Sequence, residues 1–177
     1  MPLNTSLYIE LLIAIMGPIF QCLACIILIL LFPRLKNEII VYHQYILVFN
    51  LLPIYPLDGG KIIVCLLEII FPFQFSLKLI VNFSYIIVFL LCMNPTKITI
   101  NRIITISFLL YLITKEKRRL KNAYQKFLLE RYLKNINFKK STIVDDEKKF
   151  YRNKRHLIKK GDNYYTEKDY LIKKYKN

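Results

Sequence analysis

Apolar residues run almost without interruption from Leu7 to Phe32. That is about 26 positions, enough at ~1.5 Å per residue to span ~30 Å of hydrocarbon with some tilt. Glu10 lies near the start of this run and Gly17-Pro18 in its middle. A central Gly-Pro kinks a helix and is tolerated where neighbouring helices satisfy the freed backbone groups. "PRLKNE", residues 33–38, reads as a short polar loop. Ile39–Leu52 is apolar but too short to span alone, and apolar character resumes over Gly59–Phe71. Residues 39–71 therefore read as one broken element: helix, extended motif, helix. After the turn signal at Pro72, Phe75–Met93 reads as a third pass, "NPTK" (94–97) as a loop and Ile98–Ile113 as a fourth pass. The pattern predicts an all-α integral membrane bundle of about four transmembrane elements, one of them broken, followed by a small basic α+β cytosolic tail.

That tail starts with "KEKRRLK", residues 115–121. Residues 115–134 carry Leu120, Tyr124, Phe127 and Leu128 at helical spacing, which predicts a basic amphipathic helix lying along the membrane surface. Beyond it, "RHLIKK" reads as a strand, "GDN" as a turn and Thr166–Tyr175 as a helix, with Thr166 and Asp169 at capping-box spacing. The organisation expected is a membrane domain over 1–114, a surface helix over 115–135 and a small cytosolic tail over 136–177. No catalytic pattern is visible after residue 114.

Charge sharpens this division. Six Lys/Arg face four Asp/Glu up to residue 114; the remaining 63 residues hold 21 and eight. An apolar block followed by a basic tail predicts a multi-pass protein with both termini cytosolic. Beside a membrane, the default partner of such a tail is anionic lipid rather than nucleic acid, and no nucleic-acid reading module is recognisable. The four cysteines all fall in apolar segments; Cys22 and Cys25 make one C-x-x-C with no second pair to complete a zinc site, so buried structural roles are expected. No cleavable signal peptide is evident.

The chemistry concentrates in "FNLLPIYPLDGGK", residues 49–61. An ionisable side chain or irregular backbone within a membrane segment is costly unless protein buries it or it lines a wet cavity. Pro53 and Pro56 fix φ and remove donors, holding the preceding chain extended. Asp58 would begin a half-helix whose N–H groups and positive end favour its charged form. Asn50 can hold an extended strand or backbone. The expected product is one carboxylate aimed into a cavity at membrane depth; the competing reading is an aspartate capping a kinked helix.

This string resembles the N-P-D-G signature of the site-2 proteases, intramembrane zinc metalloproteases of the M50 class, and looks most like their sporulation-associated branch. "IMGPIFQ", residues 15–21, is similar to the kinked helix that precedes the signature in that family. The resemblance covers roughly residues 1–114. It implies a bacterial cell-membrane location, zinc as cofactor and a membrane-embedded protein substrate. It further implies Asp58 as a metal ligand, Asn50 and Pro53 in the loop beside substrate, Gly17 and Pro18 at the helix kink, and Gly59 and Gly60 packing next to the metal. The family's other two ligands and its general base come from H-E-x-x-H on an earlier helix. Here the only histidines are His43 and His156, and neither lies in such a motif. His43 precedes Asp58 by about 15 residues and could face the same cavity; a tucked-in polar residue is the plainer reading. The resemblance thus implies a preceding segment, or a partner chain, carrying H-E-x-x-H, with this chain inactive by itself. The alternatives are a non-catalytic membrane scaffold that binds transmembrane segments and, well behind, a membrane-anchored nucleic-acid binder.

Overall fold

The computed structural model describes residues 6–93, 99–133, 138, 140–161 and 163–176. Helix α1 spans Leu7–Leu31 and remains helical through Pro18. The loop expected at 33–38 is shorter: a 3-10 turn, Pro33–Leu35, feeds directly into α2, Lys36–Leu51. Residues 52–57 are irregular, and α3 covers Asp58–Ile70. Helix α4 covers Phe73–Met93, and the "NPTK" loop lies outside the described residues.

Three contacts fix the course of the broken element along α1. Asn50, at the end of α2, bonds to Gln21. Asp58 sits against Gly17, and Glu68 shares an arginine with Glu10. Rising numbers on α2 and α3 thus meet falling numbers on α1. The two short helices run in series, antiparallel to α1, as the sequence pattern predicts.

Helix α5 covers Ile100–Leu133, 34 residues without a break. The division drawn at residue 114 falls inside it, and the stretch expected to lie along a membrane surface continues the axis of the preceding apolar stretch. Its apolar face is covered by protein: Phe127 and Leu128 are fully buried, and the Phe127 ring stacks on Phe73 of α4 at 4.4 Å. With Tyr85 near Thr114 and Arg102 donating to the Leu91 carbonyl, α4 and α5 pack antiparallel along their length.

The tail is a three-stranded mixed sheet closed by a helix. β1 (Ser141–Val144) pairs parallel with β2 (Arg155–Lys160), which pairs antiparallel with β3 (Asn163–Thr166). Helix α6 (Glu167–Lys176) follows, capped as expected by Thr166 Oγ1, which accepts from the Asp169 N–H at 3.2 Å. The strand at "RHLIKK" is present, whereas β1 and β3 were not anticipated. Of the "GDN" turn, Asp162 lies outside the described residues.

Among the described residues, α1 and α4 are the two helices long and apolar enough to cross a membrane. Helix α1 buries only Leu7 and Ala14 against protein and leaves Tyr8, Leu12, Phe20 and Leu30 on the outside. Of the cysteines, only Cys65 is buried; Cys22 and Cys92 are exposed on this apolar exterior, contrary to the expected buried roles.

Candidate functional site

The irregular stretch 52–57 is pinned rather than loose. Ile54 is fully buried in the core. The Tyr55 N–H donates to Ser84 Oγ of α4 at 2.9 Å, and that hydroxyl donates on to the Ile80 carbonyl. The Leu57 N–H donates to the Ile54 carbonyl at 2.8 Å, closing a turn. The two glycines permit this crossing. A Cβ at Gly59 would stand 2.2 Å from the Leu51 carbonyl oxygen, and one at Gly60 would stand 2.5 Å from that of Ile54. Their close neighbour is the motif's own backbone, so the turn needs them whatever Asp58 binds.

Asp58 follows as the first residue of α3, beside the unpaired N–H groups of that helix end. Its Oδ1 accepts from Lys61 Nζ at 2.9 Å in a partly exposed pair. Its Oδ2 faces Gly17, where an added Cβ would lie only 2.8 Å away. The glycine of α1 is thus the space the carboxylate occupies. In front lies a cavity of about 350 Å³ whose walls include Glu10, Ala14, Tyr55, Lys61 and Cys65.

Asp58 alone of the residues singled out by sequence lines this cavity; Gly17 borders its carboxylate. Asn50 donates to Gln21 Oε1 at 3.3 Å and ties α2 to α1 instead. Neither Pro53 nor His43 lines the cavity. His43 lies on α2 two turns before Asn50, farther from the motif. Glu10 is a wall residue that reasoning from the motif passed over.

A catalytic zinc takes three protein ligands and leaves one position for water. Among the described residues, no group of three His, Cys, Asp or Glu side chains is close enough to hold a metal ion. Asp58 offers a single carboxylate, one oxygen of which Lys61 already engages. These residues do not form a zinc site by themselves.

No family model and no curated protein matches this chain. The likeness to the site-2 protease signature therefore rests on the sequence motifs at residues 15–21 and 49–61 alone.

On the same side of the bundle the tail sends Arg152 back into the helices. Its guanidinium pairs with Glu10 on α1 and, at 2.9 Å, with Glu68 on α3; Arg152 is 4% exposed and Glu68 1%. Burial works against the arginine's charge, but hydrogen bonds to the two carboxylates outweigh it and raise its pKa. A second arginine, Arg131 at the end of α5, organises the tail. It donates to the carbonyls of Tyr151, Arg152 and Lys154 and pairs with Glu167 at 2.7 Å.

His156 is fully buried between these groups, its ring parallel to that of Phe150 at 4.4 Å. Its Nε2 accepts the Tyr151 N–H at 2.8 Å, which only an unprotonated nitrogen can do. Burial first, and Arg131 beside it, hold the imidazole below its ordinary value despite the Glu167 hydrogen bond. His156 is a structural residue of the sheet.

Proposed function

We propose that this chain is the carboxyl-terminal part of an intramembrane peptidase of the site-2 protease kind. Asp58 supplies one metal ligand in this reading, and the H-E-x-x-H ligands and base come from a segment or partner chain outside the described residues. One observation supports this best. A carboxylate heads a half-helix behind a two-glycine crossing, and a helix glycine makes room for it beside a cavity. The turn needs the crossing in either reading, but a simple helix cap does not need the glycine on α1. The chain's own residues hold the carboxylate oriented and, through Lys61, balance its charge until a metal takes that place.

The α2–α3 pair and α5 are read as crossing the membrane with α1 and α4, giving four passes of a bacterial cell membrane with the tail cytosolic. Lipid contacts the exposed apolar face of α1, and the substrate is a membrane-embedded protein.

The scaffold reading draws on a different fact: the carboxylate already has a partner in Lys61, so the fold is coherent without metal. Affinity purification of the assembly from its native membrane, with zinc measured by elemental mass spectrometry, separates the two. Zinc retained with the original chain and lost with Asp58→Ala, at unchanged membrane insertion, is the expected result. Zinc and peptidase activity that are indifferent to Asp58→Ala would reduce the aspartate to a helix cap and leave the scaffold.

A further inference from the structure

Two helices wall the Asp58 cavity, and they are unequally held. Glu10, Ile13 and Ala14 line it from α1, and Asp58, Val64 and Cys65 from α3. Helix α3 buries Gly59, Gly60, Val64, Cys65 and Glu68. Helix α1 buries only Leu7 and Ala14 and leaves Tyr8 and Leu12 on its outer side.

The two halves of α1 differ as well. The half after Pro18 is joined to α2 by the turn Pro33–Leu35 and by the Gln21–Asn50 bond. The half before Gly17 carries all three of the α1 wall residues. Between the halves, Pro18 has no N–H to give to the Ala14 carbonyl one turn back, so the backbone ladder is interrupted where helices most readily bend. The first turns of α1 are held from outside. Arg152 reaches Glu10 with two nitrogens and Glu68 of α3 with one of them, joining the loosely held wall to the firmly held one. The tail that carries Arg152 is seated on the firm side too: the Phe73 N–H at the start of α4 donates to the Phe150 carbonyl at 3.0 Å.

We infer that residues 7–16 of α1 are a lateral gate, hinged at Gly17-Pro18 and held shut by Arg152 through Glu10, by which a transmembrane protein segment enters the cavity beside Asp58. The hinge lies at the glycine against which the Asp58 carboxylate rests, so bending there draws the wall away and uncovers Asp58, Val64 and Cys65 on α3. The inference rests on the membrane placement of α1 and deepens the proposed function by giving its substrate a route. It concerns access alone, so it can fail where Asp58 still binds zinc and hold where no zinc binds.

Cys65, 5% exposed with the gate shut, reports that access. The full chain, with Cys22, Cys25 and Cys92 changed to serine, is placed in phosphatidylcholine vesicles. Alkylation of Cys65 by N-ethylmaleimide and by the bulky, apolar pyrene maleimide is followed by mass spectrometry, and the ratio of the two rates cancels any change in thiol ionisation. Glu10→Gln loosens the catch while leaving Arg152 on Glu68. It should raise the pyrene-to-ethyl ratio on the order of tenfold, the effect of one weakened charged hydrogen bond. Adding Pro18→Ala, which restores the missing backbone bond, should reverse most of that rise. Glu38→Gln removes the same charge at the start of α2 and should leave the ratio unchanged. Amide protection across β2 should be the same in all four proteins. An unchanged ratio in Glu10→Gln, an equal rise in Glu38→Gln, or a rise that Pro18→Ala does not reverse overturns the gate. A rise accompanied by lost protection in β2 also overturns it, because the change would then be a general loosening.

Discussion

Around Asp58 and around Arg152 this apolar chain encloses charge, and the two places differ in how fully each charge is answered. Arg152 is sealed between two carboxylates, and Arg131 behind it meets three carbonyls and a carboxylate. Asp58 has one flexible lysine, a helix end and open space in front of it. A charge fully answered by the fold has little left to offer a ligand. One answered partly, at the edge of a cavity, remains available. The buried network therefore reads as architecture and the half-answered carboxylate as chemistry.

The comparison breaks most readily at Arg152. Arg152→Ala leaves Glu68 enclosed without its partner, and removal of one member of a buried pair costs about 3–5 kcal/mol. Limited proteolysis of the detergent-solubilised chain should show the tail released from the helices. The triple variant Arg152→Met, Glu10→Gln, Glu68→Gln should be milder than Arg152→Ala, because it strands no charge. If the single change leaves proteolysis unaltered, the junction is not structural.

Gly59→Ala should come next. Its new methyl meets a backbone oxygen at 2.2 Å, and such overpacking costs about 1–3 kcal/mol, here at the upper end. A thermal melt matching that of the unmodified chain would show that residues 51–57 can shift aside.

The pH response sharpens the architectural half. His156 is neutral when folded and held below its ordinary value of 6.5. As pH falls through 6.5 the unfolded tail takes up a proton that the folded tail refuses, so stability drops by up to about 1.4 kcal/mol per pH unit. Glu167, which burial alone would raise, is held below 4.5 by His156 and Arg131, and its share is lost at lower pH still. Amide protection factors across β2, corrected for the intrinsic pH dependence of exchange, should therefore fall between pH 7 and 5.5. A flat profile there would mean that His156 is protonated in the fold.

Asp58→Ala should have the smallest effect on stability. A partly exposed pair and a helix-end interaction together contribute about 1 kcal/mol. Near-normal melting combined with complete loss of zinc from the proposed peptidase assembly is the expected signature. A large drop in melting temperature would instead move Asp58 into the architectural class.

What could be read from the chain was whatever carried a local signal. Prolines at 53 and 56, then Asp58-Gly59-Gly60, mark a break and a restart in any setting, so α2, the irregular stretch and α3 were visible. The continuity of α5 was hidden because hydropathy changes at residue 114 while helix propensity does not. "KEKRRLKNAYQKFLLERYL" contains no glycine or proline to end a helix. Strand β1, "STIV", is too short to show a period. Arg152 could not be singled out among 27 Lys/Arg, since its partners lie 84 and 142 positions away and no spacing rule reaches that far. For the same reason Glu10 passed as an ordinary charge near a helix start. Only the fold shows it to be a wall of the Asp58 cavity.

Glu10 belongs to both regions at once, and that has a thermodynamic consequence. Helix α5 extends roughly 50 Å, at ~1.5 Å per residue, to the tail it holds through Arg131, and Arg152 returns from that tail to α1 and α3. The path closes on itself, so the tail cannot undock without stripping Glu10 of its arginine. Linkage then acts in both directions. Whatever fills the cavity beside Asp58 and changes the affinity of Glu10 for Arg152 must shift the docking equilibrium of the tail, and whatever binds the tail must shift occupancy of the cavity by the same factor.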